Sequence, residues 1–507
     1  MKIKRAEIDS KAAQEFDKDE FLCGDVRITA KDFAVKIASN GSGVSFIKLI
    51  FDENIKDSLV LSDHWERAYG DLSWHYPSDN EKMPWYFAAK NGDSIKCFGV
   101  KTGCDSFCRW EIEDGCPALV IDVRNGLMPV IPDGLLEACV ICYNEYSCDE
   151  FRALCDFCKK MCDAPRLPDR QIFGGNDWYC CYGDNSYEKI MNHTKRIVEC
   201  SKGCGLAPFM VIDDGWQLCH HQSDNDEEYY NGGPWRFPNG NFRNMKAMAE
   251  DIEREGAIPG IWFRPLWTVE KYPEEYLLKS KGIKDTLDPS HPEVLKLIKR
   301  DVETIKGWGY KLIKHDFTTF DIFGCWGFEM DEYMFRDEIV FFDRSKTTAQ
   351  IIKQLYMTIR EAAGDDVLII GCNTVSHLSA GIFEIQRTGD DTSGKDFERT
   401  KKYGVNTLAF RMCQHNTFYA ADADCVGITK SIPWSKNREW LDVLSKSGTP
   451  LFVSIAEDCY TDEVRGDIEK AMKRTADNSR VSKPLDWLET KIPKMWESSF
   501  GIDEYKW

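Results

Sequence analysis

Nowhere does the chain offer an apolar run near the roughly eighteen residues that a bilayer crossing needs, so no transmembrane helix is expected. Positive charge is in short supply: 65 Lys and Arg against 84 Asp and Glu leave a net charge of −19. That field repels phosphate backbones and anionic lipid, and no basic stripe with interleaved aromatics overrides it locally. Neither nucleic acid nor a membrane is therefore an expected partner. The opening residues, MKIKRAEIDSKAAQEFDKDEF, turn acidic at once and lack the apolar stretch of a secretion signal, which points to a cytoplasmic protein. A glycine-rich phosphate turn is missing too: FGGNDW lacks the GxGxxG spacing of a dinucleotide site.

Cysteine is abundant, but its 21 copies are odd in number and spread through core-like segments, so reduced thiols are expected rather than disulfides. Cys155, Cys158 and Cys162 fall at i, i+3, i+7 and read as one helix face, not a zinc site. Cys139 and Cys142 lie in a strand-like run where they point to opposite faces.

From about residue 20 to 148 short β-branched and aromatic runs alternate with NG and DG turn signals, the pattern of an antiparallel β-sandwich. An amphipathic helix over 149–162 and the proline-containing DAPRLPDR follow, so 1–165 is read as a β-sandwich domain with its linking helix. The rhythm then becomes strand, loop, helix. Eight apolar runs (171–178, 208–216, 258–265, 310–317, 367–374, 382–391, 416–424 and 450–458) are separated by amphipathic helical stretches. That count fits a (β/α)8 TIM barrel over 166–480, an α/β fold whose working groups sit at the C-terminal strand ends. Residues 481–507 read as a short C-terminal tail.

Carboxylates crowd those strand ends: Asp213 and Asp214 after strand two, Asp316 after strand four, Asp390 and Asp391 after strand six, Asp422 and Asp424 after strand seven. Trp178, Trp216 and Trp262 lie among them, and flat rings beside carboxylates suit sugar binding. Asp316 and Asp391, on strands that face each other across a mouth, are the pair that hydrolysis of a glycosidic bond requires. Lys314 shares a strand face with Asp316 and would keep it ionised, while Asp391 would need burial or a neighbouring charge to hold its proton against Arg387. His315 then points away, as a structural histidine, and His220 and His221 read as loop residues in solvent. No HxH or other histidine cluster occupies the strand ends, so neither metal nor cofactor is expected.

The ordered set VIDDGW, PGIW, KHDF, IGCNT, RTGDDT and AADADC resembles the family 36 glycoside hydrolases, with wider kinship to family 27, over about residues 165–460. The resemblance implies a retaining hydrolase acting on a terminal α-galactoside through a covalent glycosyl-aspartate. It implies Asp316 as nucleophile, Asp391 as acid/base, and Asp213 and Asp214 on sugar hydroxyls. Lys314 and Arg387 would grip the O2/O3 side, and Trp178, Trp262 and Cys372 would line the pocket. An oligosaccharide or glycoside is then the expected partner.

Two departures stand out. Arg264 follows Trp262 where small, polar or acidic residues are usual; it either pairs with an acid or recognises an anionic or substituted sugar. The closing β domain is reduced or absent. The segment 318–338 after Asp316 reads as an inserted loop that caps the mouth or meets a second copy in a homo-oligomer. An α-N-acetylgalactosaminidase, a raffinose-synthase-like galactosyl transferase and an inactive carbohydrate-binding protein are the alternative readings.

Overall fold

The computed structural model describes all residues except 10–13, 17–19, 79–80, 222–229, 281–284, 331–333 and 336–337. Its N-terminal part is built as the alternating runs require. In Val26–Thr29 and Ala34–Ser39 every second residue is buried, namely Val26, Ile28, Val35 and Ile37, the period-two pattern of a strand with one wet face. A six-stranded and a seven-stranded antiparallel sheet result. Between them lie Trp110, Phe87 and Phe98, the last two stacked at 4.9 Å.

The long strand Leu136–Tyr146 buries both Cys139 and Cys142. Residues three apart face opposite ways, so both of its faces must be covered. The helix Glu150–Met161 covers one, burying Phe151, Leu154, Phe157, Cys158 and Met161. Asp149 starts that helix by accepting from the Arg152 amide at 3.0 Å, and Lys159 and Lys160 complement its C-terminal dipole.

The second part is the parallel barrel. Its strands are Phe173–Asn176, Phe209–Ile212, Ile258–Phe263, Leu312–His315, Leu368–Gly371, Ile385–Arg387, Ala420–Asp422 and Leu451–Ile455. They pair in sequence order, and the eighth also pairs with the first. Stave seven is broken. Ala420–Asp422 pairs with strand six, then Asp424 takes a left-handed φ of 72°, and Cys425–Ile428 continues against strand eight. The break turns Asp424 into the mouth while the wall still closes.

Between strands five and six the outer helix shrinks to the single turn Ser376–Ser379. The sandwich occupies its place: His377 stacks on Trp85 at 4.8 Å, its Nε2 donates to the Val100 carbonyl at 3.0 Å, and its own carbonyl accepts from the Gly103 amide at 3.1 Å. The sandwich thus contributes to the barrel wall.

A sandwich loop also reaches the barrel mouth. The Ala68 amide donates to the Thr388 carbonyl at 2.8 Å, and the Asp390 amide donates to the Ala68 carbonyl at 3.0 Å. Residues 67–69 therefore extend the sheet beside the end of strand six. Gly70 has a φ of 77° and lies against the Lys402 stem, so any side chain there would collide. Behind the loop Arg411 clamps Asp63, donating from Nε at 2.7 Å.

Residues 483–504 form a three-stranded antiparallel sheet whose Trp487 packs on Trp74, Phe151 and Phe410. The stretch read as a tail thus holds a small β sheet. Among the described residues no helix is long and apolar enough to cross a membrane.

Candidate active site at the barrel mouth

Asp316 directly follows strand four. Its amide donates to the Phe263 carbonyl at 3.0 Å, continuing the sheet by one residue, and Phe317 then turns left-handed (φ 62°) into the helix Thr318–Phe323. Both carboxylate oxygens are held: Oδ2 accepts from Trp262 Nε1 at 3.0 Å and Oδ1 from the Phe317 amide at 2.8 Å. Trp262 is 1 % exposed, so its function in the site is to orient Asp316 rather than to offer an open ring face. Trp216 is fully buried and donates to the Trp262 carbonyl at 3.0 Å; it is core, not the sugar platform its position suggested. Trp178, part-buried on the turn after strand one, packs on Tyr182.

On the neighbouring wall Asp213 Oδ2 accepts from Lys314 Nζ at 2.7 Å and from Asn176 Nδ2 at 2.6 Å. Lys314 therefore bonds Asp213, not Asp316, although its charge reaches Asp316 as well. Burial disfavours the ammonium, but Asp213 and Asp316 keep it charged to well above the usual lysine range. Burial pushes Asp213 upward, against Lys314 and Asn176. Asp214 accepts from Gln217 Nε2 at 2.7 Å and Asn231 Nδ2 at 3.0 Å, with His220 Nδ1 at 3.2 Å. His220 thus belongs to the site wall instead of to solvent; the side chain of His221 lies outside the described residues.

Asp391 stands at the far side, with 38 % of its side chain exposed. Burial would raise its pKa, but Arg387, Arg67, Lys314 and Arg399 together hold it below the ordinary carboxylate value. The basic groups thus outweigh burial, a balance that the sequence alone leaves open. Arg387 divides itself between Asp424 at 2.9 Å, Asp391 at 3.3 Å and the Cys372 thiol at 3.4 Å. Cys372 is fully buried, and burial drives its pKa up well above the usual thiol range. Asp424 also accepts from the Thr392 amide at 2.9 Å and from the Tyr179 hydroxyl. It braces strand six. Burial raises Asp422 to about 6, against Arg387.

Two residues are removed from direct duty. Arg264 is 4 % exposed, bonds Asp321 through both Nε (3.0 Å) and Nη2, reaches Asn231 with Nη1, and lies 4.1 Å over the Phe317 ring. Of the two roles expected for it, pairing with an acid is the one present. Asp321→Ala would leave that guanidinium buried without its carboxylate, and we expect a loss of about 3–5 kcal/mol in equilibrium urea unfolding. A loss below about 1 kcal/mol would show that Arg264 has another outlet. His315, wholly buried between Tyr356 and Phe383 with Nε2 on Thr318, is pushed down to about 3 by burial and remains a neutral structural residue.

Several site residues were not singled out in the sequence. Arg67 approaches Asp390 at 2.8 Å and Asp391 at 3.7 Å. Glu66 beside it is completely buried and accepts from the Gly327 amide at 2.8 Å, from Asn373 and from Tyr69. These tie the sandwich loop, the segment after Asp316 and strand five together. Trp326 of that segment packs on Phe320 at 4.6 Å, with the rings tilted, and the Arg67 guanidinium lies over it. Asp177 accepts from the Asp213 amide at 2.6 Å through one oxygen while the other is buried without a partner, and burial pushes its pKa far up. The Asn-Asp pair after strand one was the available signal for Asp177; Arg67 gave none, lying some 250 residues away in another domain.

A separate cavity of about 550 Å³ is lined by His64, His75, Glu81, Phe328 and Lys491, among others, and includes none of the barrel carboxylates. Among the described residues no cluster of three or more His, Cys, Asp or Glu could hold a metal ion.

No family model matches the sequence. Solved structures do match. An α-galactosidase from Thermus thermophilus, in complex with p-nitrophenyl α-D-galactopyranoside, superposes with a TM-score of 0.63 at 15 % identity, over 95 % of this chain and 97 % of its own. The chain shares that enzyme's fold. The GH36 α-galactosidase AgaA from Geobacillus stearothermophilus, bound to stachyose, matches 93 % of this chain and 70 % of its own with a TM-score of 0.59 at 14 % identity. The galactosidase domain of an α-galactosidase-sucrose kinase matches 94 % and 68 % with a TM-score of 0.60 at 13 % identity. The sandwich-plus-barrel architecture is common to all three, so the fold read from the strand rhythm stands.

Proposed function

We propose that the chain is a retaining glycoside hydrolase that cleaves terminal α-galactosides, with Asp316 as nucleophile and Asp391 as acid/base. The observation that carries this reading is the pair itself: a carboxylate held at both oxygens on strand four and a half-exposed one beyond strand six, with the Lys314 charge acting on both. Its support from relatives is that neighbours of the same fold hold p-nitrophenyl α-galactoside and stachyose.

The residues then act as follows. Asp391 gives a proton to the glycosidic oxygen as Asp316 attacks the anomeric carbon, forming a glycosyl-aspartate. Asp391 next takes a proton from water, which releases the sugar. Trp262 and the Phe317 amide fix the attacking carboxylate so that little reorganisation precedes bond formation. Asp213, Asp214 and Lys314 offer acceptors and a donor to hydroxyls on the same wall.

The test of this reading is hydrolysis of a panel of aryl α- and β-glycosides, including N-acetylgalactosaminides and uronides. Release from α-galactosides, with α-galactose as first product, is the expected outcome; turnover confined to β-glycosides would reject it. The depressed Asp391 also fixes a pH dependence. Only its protonated form assists a poor leaving group, and its pKa lies below the usual carboxyl value. For melibiose-like substrates kcat/KM should therefore fall about tenfold per pH unit as pH rises from 5 to 8. Activated aryl galactosides, needing no proton, should show no such limb. A flat profile for both classes would mean that Asp391 is not the acid.

A further inference from the structure

The segment that carries Asp391 holds Lys395, Arg399, Lys401 and Lys402 beside the exposed acids Asp396 and Glu398, and Arg67 lies against it. Asp390 alone serves two guanidiniums, Arg67 at 2.8 Å and Arg399 at 3.5 Å. Arg67 has only 6 % of its side chain exposed, yet its Nε is buried without a hydrogen-bond partner and its Nη1 stops 3.7 Å short of Asp391. Arg399 donates to the Asp391 carbonyl at 3.0 Å and leaves 42 % of its side chain exposed. Lys395 and Lys402 are exposed on the same segment; their ammonium groups lie over Tyr182 at 4.2 Å and Tyr403 at 5.1 Å, with no carboxylate within 4 Å among the described residues.

The position of these cations gives them meaning. With Asp391 as the acid, the leaving group takes its proton there as its bond to the anomeric carbon breaks, so it departs on the side of the mouth where Arg67 and Arg399 stand. The opposite wall, Asp213 and Asp214, faces the sugar that stays. Arg264, the cation that the sequence offered for an anionic sugar, is already saturated by Asp321.

We propose that Arg67 and Arg399, assisted by Lys395 and Lys402, form a leaving-group subsite for an anionic substituent, a carboxylate or sulfate carried by the group that departs. The proposal deepens the hydrolase reading and rests on it for the identity of Asp391. A bound anion would also offset the guanidinium charges that keep Asp391 ionised, and so help the acid to hold its proton. Planar forks bind carboxylate and sulfate oxygens in pairs.

The experiment compares 4-carboxyphenyl with 4-carbamoylphenyl α-galactoside, and 4-sulfophenyl with 4-sulfamoylphenyl α-galactoside, at low ionic strength. The wild type should favour the charged member by about tenfold in kcat/KM, mostly through KM. Arg399→Gln should bring the ratio near one, and Arg399→Lys, which keeps the charge but loses the fork, should keep only part of it. Binding of inorganic sulfate to the full-length chain is measured in parallel by calorimetry, with chloride as the ionic-strength control. Saturable binding weakened by Arg399→Gln is expected. Equal use of both members by the wild type, or a preference that survives Arg399→Gln, would overturn the subsite. If no galactoside is cleaved but sulfate binding still depends on Arg399, the hydrolase reading fails and the anion site stands; if sulfate does not bind either, both fall.

Discussion

Replacing Asp316 by Ala should lower kcat on aryl α-galactosides by about 10⁴-fold or more, because no other group can form the glycosyl-enzyme bond and the intermediate is lost with it. The fold should survive. Asp316 sits beyond the last residue of its strand and its backbone bond to Phe263 does not involve the side chain, so the melting temperature is expected to move little. The vacated space also makes a positive prediction: azide should enter it, restore turnover of activated galactosides, and yield β-galactosyl azide, the product of attack from the Asp316 face. A variant that keeps more than a tenth of wild-type kcat, or azide that yields no adduct, would remove Asp316 from the chemistry.

Asp391→Ala should produce a different signature. A general acid contributes about 10²–10⁴-fold when the leaving group is poor, so cleavage of alkyl galactosides and galacto-oligosaccharides should drop by that amount. Galactosides of acidic phenols should lose far less in the glycosylation step. Equal losses on both substrate classes would indicate that the residue positions the sugar instead of moving a proton.

The barrel was legible because its evidence is periodic and local: each strand is a short apolar run that ends in polar residues, and each helix carries one apolar face. The strand-end carboxylates were legible for the same reason, since a residue that follows a barrel strand must lie at the mouth whatever else the fold does. What could not be read was pairing. That Lys314 bonds Asp213 and not Asp316, that Arg264 belongs to Asp321, and that Trp262 donates to Asp316 depend on which side chains meet across strands, and sequence spacing carries no record of that. Arg67 is the extreme case. It enters the site because a sandwich loop adds to the end of strand six through Ala68, and because Gly389 leaves room for Tyr403 and Thr407 to close over the turn. The single helical turn between strands five and six is of the same kind: the wall is completed by another domain, and the signature of that substitution is a stacked pair, His377 on Trp85, that neither segment announces alone.

The proposed function depends on attack by Asp316 on the sugar carbon. The most direct measurement is to incubate the protein with an activated fluorinated galactosyl inactivator, digest it, and locate the added mass. The account predicts one sugar per chain, esterified to Asp316 in the KHDF peptide. A label on any other carboxylate, or inactivation without a covalent adduct, would contradict it.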